Sequence, residues 1–308
     1  MTNRGIHHIT AVAGEPQRNY EFYTQILGLR LIKKTVNFDD PSTYHLYYGI
    51  GNGDPGTILT FFPWEHLQNG RPDRGQVVAI SFSIPPASKK FWLEHLETKN
   101  IDIEAPFSRF GKEVIGLQDP DGLHLELVLD PKAARVDGWE NSPLPKEYAI
   151  RGFHGATLAE ENYTKTGRLL EEDLGFVLTN QLDNRYLYET KAQFGSVIEI
   201  IDQFELDGRP GKGTVHHIAF RTRDDREQQS LRKKLLNKGY YLTEIKDRQY
   251  FQSVYFHEPG GVLFEIATDS PGFTIDEEPG ELGTSLKLPD WLESHRHNIE
   301  SQLPELTS

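Results

Sequence analysis

The sequence predicts an α+β chain built from four βαβββ modules, paired into two domains with curved mixed sheets. Three observations carry this expectation: a strand-like run that recurs four times, a helical stretch after each run that stops at glycine in two copies, and a Pro/Gly turn ahead of a last strand in three.

The four runs are Gly5–Thr10, Val77–Phe82, Gly152–Thr157 and Val215–Phe220, and the segments after each helix are rich in β-branched and aromatic residues. The helices follow from spacing. Tyr20, Phe22, Tyr23, Ile26 and Leu27 recur at helical intervals up to Gly28, and Leu231, Leu235 and Leu236 do so before Gly239. Glycine at both stops supplies the left-handed residue that ends a helix. Turns then introduce the last strand at Asp54-Pro55-Gly56, Asp119-Pro120-Asp121-Gly122 and Glu258-Pro259-Gly260-Gly261, while the third copy offers only Phe194-Gly195. The expected division is an N-terminal domain over 1–135, a C-terminal domain over 148–270 and a tail over 271–308 that packs on the body, with Asp130 to Pro145 as the linker. Pro271, Pro279, Pro289 and Pro304 exclude one long helix in the tail, although Asp290 to Ile299 suits a short one.

A chain of 308 residues exceeds what one core usually organises, which agrees with two domains. The 33 basic and 46 acidic residues leave a formal charge of −13 with no local basic patch, so neither nucleic acid nor an anionic membrane surface is an expected partner. Cysteine is absent, which excludes disulfides, thiolate metal sites and a cysteine nucleophile. A metal would therefore be held by nitrogen and oxygen. No signal-like N-terminus and no long apolar span is present, so a cytoplasmic protein is expected; a homo-oligomer is compatible with the sequence.

Superposing the four copies singles out two positions. On the first strand, the second member of the pair is His8, Ala79, Gly155 and His217; on the last strand, the corresponding residues read as Phe61, Glu126, Glu199 and Glu265. Modules one and four thus offer His8, His217 and Glu265, with Phe61 where a fourth ligand could stand. Two imidazoles and one carboxylate suit a facial triad on non-haem Fe(II), and Mn(II) accepts the same ligands. Modules two and three lack histidine at these places and read as a metal-free half, with Glu126 and Glu199 pairing with a cation or facing solvent. Neighbouring strand residues point to opposite faces, so one histidine of each pair faces the metal; spacing alone leaves open which one. A lone strand histidine is ordinarily a packed, hydrogen-bonded residue, and that reading applies to His45, His154 and the other unpaired histidines. The aromatic stretches Tyr44–Tyr48 and Phe61–Trp64 read most simply as core strands.

The repeat plan, the paired histidines and Gly260-Gly261-Val262-Leu263-Phe264-Glu265 resemble the vicinal-oxygen-chelate, or glyoxalase/bleomycin-resistance/dioxygenase, superfamily. Gly5-Ile6-His7-His8-Ile9-Thr10, Tyr44-His45-Leu46-Tyr47 and Gly272-Phe273-Thr274 are similar to its hydroquinone 1,2-dioxygenase branch. The resemblance implies the second histidine of each pair and the glutamate as ligands, hence His8, His217 and Glu265. It also implies that His7, Thr10, His216, Arg248 and Tyr255 surround the substrate. The expected activity is a ring-cleaving, extradiol-type dioxygenase that joins a small aromatic diol and O2 in quinone detoxification. Catechol enzymes of this superfamily take their first histidine from the third module, where this chain has Gly155, so the site must bridge modules one and four. The rival expectations are a metal-dependent isomerase or thiol transferase on the same fold, and a protein that sequesters aromatic ligands without turnover.

Overall fold

A computed structural model describes residues 5–202 and 206–307. Module one comprises β1 (Ile6–Ala13), α1 (Pro16–Glu21), β2 (Arg30–Asn37), β3 (Asp40–Gly49) and β4 (Ile58–Pro63). Module two follows with β5 (Gln76–Ile84), α2 (Lys89–Thr98), β6 (Phe107–Arg109), β7 (Lys112–Gln118) and β8 (His124–Leu129). Module three contains β9 (Phe153–Ala159), α3 (Tyr163–Glu172), β10 (Val177–Leu182), β11 (Arg185–Glu189) and β12 (Val197–Ile201). Module four contains β13 (Thr214–Thr222), α4 (Asp225–Asn237), β14 (Lys246–Asp247), β15 (Phe251–His257) and β16 (Leu263–Pro271). The fourfold βαβββ plan is thus present.

Local chemistry explains the helix limits. Asn162 and Asp224 cap α3 and α4 by accepting from the backbone N–H groups of Thr164 and Glu227, and α1 runs on into a π-helical turn, Phe22–Ile26, before Gly28 takes φ +70°.

Hydrogen bonding joins the modules crosswise. One eight-stranded sheet runs β14-β15-β16-β13-β1-β4-β3-β2, uniting modules one and four; the other runs β10-β11-β12-β9-β5-β8-β7-β6, uniting modules two and three. Each first strand pairs parallel with its own module's last strand and antiparallel with the first strand of the partner module. The expected domains, 1–135 and 148–270, follow the chain, whereas each sheet draws on both. A continuous core lies behind the sheets and under the helices, through Tyr23, Phe61, Phe82, Trp92, Phe153 and Leu231.

The tail lies along β2 and β3. Leu288 and Ile299 pack on Val36, the buried Lys33 ammonium bonds Asp276 and Glu277, and the Tyr44 hydroxyl donates to the Pro304 carbonyl. The helix expected over Asp290 to Ile299 is divided into α5 (Asp290–Glu293) and α6 (Arg296–Gln302). No helix among the described residues is long and apolar enough to cross a membrane.

Candidate metal centre

The antiparallel pairing of β1 with β13 brings together two histidine pairs that lie 209 residues apart in sequence. On this shared seam each strand carries a bulge. His7 falls between the partners Ile6–Phe220 and His8–Ala219, and His216 between Thr10–His217 and Ala11–Val215. The extra residue in each strand re-aims the pair, so the two imidazoles of a pair lie side by side at ring-centroid distances of 5.1 Å instead of on opposite faces.

His8, His217 and Glu265 converge and are buried. Their Nε2 atoms are 3.4 Å apart, and Glu265 Oε2 lies 2.9 Å from His217 Nε2 and 3.3 Å from His8 Nε2. An octahedral ion with bonds of about 2.1 Å has neighbouring ligands about 3.0 Å apart, so the three atoms have the spacing of one octahedral face. Glu265 Oε1 accepts from Ser253 Oγ at 2.5 Å, while Oε2, fully buried, has no hydrogen-bond partner among the described residues. An orphaned carboxylate oxygen aimed between two imidazole nitrogens fits a divalent cation. Burial alone would raise the Glu265 pKa, yet the two facing imidazoles hold it well below the carboxylate range. Burial conversely lowers His217, favouring the neutral imidazole that a metal requires.

Each inner histidine is oriented by its neighbour. His8 Nδ1 lies 2.9 Å from His7 Nδ1, and His217 Nδ1 lies 2.8 Å from His216 Nδ1. With a metal on Nε2, each ligand imidazole would carry its hydrogen on Nδ1, so that His8 and His217 would donate and His7 and His216 accept.

The triad opens into a cavity of about 330 Å³ lined by His8, Asn37, Phe38, Asp39, Asp40, His45, Tyr47, Phe62, Trp64, His216, His217, Arg248, Phe251 and Tyr255. This lies near the lower end of the size range for small-ligand sites, roughly 300 to 1,000 Å³. Of the residues expected around a substrate, His216, Arg248 and Tyr255 line it. His7 and Thr10 do not. His7 is buried against Phe251, and Thr10 hydrogen-bonds Thr60 below the floor.

The expectation that Phe61 occupies the fourth-ligand place is incorrect. Glu265 pairs with Ala219, two residues beyond His217; two residues beyond His8 is Thr10, whose partner on β4 is Thr60. A shift of one residue reverses the face of a strand, and Phe61 accordingly packs behind the sheet on Tyr23, with ring centroids 4.6 Å apart. The position is filled by Thr60, whose hydroxyl is engaged by Thr10 and by His45 Nε2, both at 2.8 Å.

His45 and Tyr47, read from sequence as packed residues, belong to the cavity. Tyr47 Oη lies 2.9 Å from His45 Nδ1, completing a chain from Tyr47 through His45 and Thr60 to Thr10. The same module superposition could have found them. Tyr47 pairs with Thr60 as Tyr255 pairs with Glu265, which makes the two tyrosines equivalent.

The family model of the Glyoxalase/Bleomycin resistance protein/Dioxygenase superfamily matches residues 5–127. The chain is 45% identical over 306 residues, 99% of its length and 100% of the relative's, to MhqE of Bacillus subtilis, provisionally named a ring-cleaving dioxygenase. It is 33% identical to the chlorohydroquinone/hydroquinone 1,2-dioxygenase of Sphingobium indicum, covering 96% of this chain and 94% of that one. A crystal structure provisionally described as a dioxygenase from Bacillus subtilis superposes with a TM-score of 0.95 at 43% identity, covering 98% of this chain and 97% of that chain. With full-length relatives and the crosswise pair of curved sheets in agreement, the chain belongs to the glyoxalase/bleomycin resistance protein/dioxygenase superfamily.

Proposed function

We propose that this protein is a ring-cleaving dioxygenase that uses Fe(II), with Mn(II) the nearest substitute, to open a small aromatic diol of the hydroquinone or catechol kind with O2. The observation that carries this reading is a two-histidine, one-carboxylate face opening directly into an aromatic-walled cavity. The names of the full-length relatives support it. Bound at the triad, the ion supplies the Lewis-acid and redox chemistry that lets an electron-rich ring react with O2. Both oxygen atoms enter the product, so no external reductant is needed.

The protein's own groups then have separable tasks. Phe62, Trp64 and Phe251 offer flat faces that hold a ring beside the triad and exclude water. His216, accepting at Nδ1, carries its hydrogen on Nε2 and presents a donor to the cavity. Tyr255, a phenol held by Arg248 Nε at 3.2 Å, is a second donor, and Arg248 stabilises negative charge as it develops on substrate oxygen. His7, outside the cavity, keeps His8 in the ligating tautomer. Thr60 at the counterpart of Glu265 leaves three ligands instead of four, which favours a dioxygenase over a four-ligand isomerase.

The test is to purify the protein without oxygen, measure its metal content, add Fe(II), and follow O2 consumption with hydroquinone, methylhydroquinone and catechol. Oxygen uptake matched to ring loss, and abolished together with metal binding in Glu265→Ala, is expected. Metal-loaded protein that consumes no oxygen with any of the three would overturn the proposal.

A further inference from the structure

An ion pair between modules that are distant in sequence lines the cavity. Arg248, just after β14, donates from Nη2 to Asp39 Oδ2 at 2.8 Å, and Asp39 lies between β2 and β3. Two hairpins from opposite ends of the sheet thus meet over the triad. Among the described residues lining the cavity, Arg248 is the one cation; the lining acids outside the triad are Asp39 and Asp40. The Asp40 carboxylate is occupied by the Ser42 and Thr43 hydroxyls and the Trp64 indole N–H. Lys246, 3.8 Å from Asp39, lies outside the lining set.

We infer that Asp39 sets the charge class of the substrate: by neutralising Arg248 it reserves the cavity for uncharged aromatic diols and rejects those bearing a carboxylate. The inference rests on the proposed function and adds a residue that acts through Arg248. A ring carboxylate entering the site would lose its hydration, meet a guanidinium already engaged by a carboxylate, and face the further negative charge of Asp40. An uncharged ring needs only apolar faces and hydroxyl partners, which Phe38, Phe62, Trp64 and Phe251 supply with Tyr255 and His216. The Asp39 side chain is 61% exposed, so its negative charge can be removed without opening the core. Asparagine keeps an acceptor for Arg248 and removes the charge.

The experiment compares equilibrium binding of methylhydroquinone and 2,5-dihydroxybenzoate, by calorimetry on metal-loaded protein kept free of oxygen. In the wild type the uncharged ligand should bind at least about tenfold more tightly. Asp39→Asn should shift the ratio of the two Kd values toward the acid by at least about tenfold, the effect of one charge-assisted hydrogen bond. Adding Arg248→Gln to that variant should abolish the shift, which separates a charge effect from general loosening of the hairpin. Equal binding of the two ligands by the wild type, an unmoved ratio in Asp39→Asn, a shift that survives Arg248→Gln, or failure of both ligands to bind would each overturn the inference. Selective binding without oxygen uptake would instead leave the inference standing and remove the ring-cleaving reading.

Discussion

The two sheets place glutamates at equivalent points and supply their counter-charge differently. In the sheet of modules one and four, Glu265 faces His8 and His217. In the other sheet Glu126 and Glu199 occupy the last-strand position, but Ala79 and Gly155 replace the histidines. There a guanidinium stands in for an ion: Arg109 Nη1 and Nη2 donate to both oxygens of Glu126 at 2.9 and 2.6 Å, and its Nε lies 2.8 Å from Glu199. Arg109 lies seven residues before Gly116, which pairs with Glu126; Arg248 lies seven before Tyr255, which pairs with Glu265. The same module position therefore carries an arginine in both sheets. In one it meets Tyr255, and in the other it reaches the carboxylates. The second site has shrunk to a cavity of about 30 Å³, against about 330 Å³. A side chain at Gly155 is excluded sterically, since its Cβ would lie 2.2 Å from the Val197 carbonyl oxygen.

A second pair of acids shows what happens with no cation supplied. Glu160, at the end of β9, is fully buried with both carboxylate oxygens unpartnered among the described residues, and Glu258 approaches from the turn before β16. Burial first, then the charge of Glu258, pushes the Glu160 carboxyl up to about 9, so a proton does here what an arginine does for Glu126.

The largest effect expected from this comparison is at Arg109. Arg109→Ala strands the buried Glu126 carboxylate and leaves Glu199 with Arg185 alone, and should cost about 3 kcal/mol, lowering Tm by on the order of 5 °C, while metal stoichiometry at the triad is retained. Unchanged thermal unfolding would mean that the guanidinium is not what neutralises that half. Next come the outer histidines: His216→Ala and His7→Ala should each weaken metal binding by about 10–100-fold in competition with a chelator. Only His216→Ala should also lower kcat in metal-saturated protein, because only His216 reaches the cavity. An equal loss of kcat in both would erase the distinction drawn between them. The smallest effect belongs to Glu160. Its raised pKa means that the folded state holds a proton which the unfolded chain releases near pH 4.5, so this group's stabilising contribution is full below that pH and is lost progressively as pH rises toward 9. Glu160→Gln should therefore flatten the decline of Tm between pH 5 and 8, and a decline as steep as in the wild type would assign it to other groups.

Much of this arrangement was legible before any coordinates. The module count, the helix stops and the histidine pairs are local or periodic, and each depends on side-chain chemistry that a single segment displays: glycine at a left-handed stop, apolar spacing at 3.6 or 2, imidazoles at matching repeat positions. Repetition turns four weak signals into one strong contrast and marks the two histidine pairs and Glu265, while the choice of His8 and His217 within the pairs comes from the family resemblance. Phe61 was assigned to the wrong face because a count from the turn is accurate only to about one residue, and in a strand one residue reverses everything. His45 and Tyr47 looked like core because their strand is apolar on both sides.

By itself, then, the sequence determined that four similar βαβββ units exist, that two of them carry paired imidazoles on the first strand, and that a metal would be bound by nitrogen and oxygen. Only the tertiary structure decided which modules share a sheet, that bulges at His7 and His216 turn adjacent side chains to one side, and that Asp39 reaches Arg248 across the cavity. The physical reason is range. Propensity and periodicity act over a few residues, whereas strand partnership, register and the pairing of charges over a cavity depend on closing long loops around a shared core, and no short segment encodes that outcome alone.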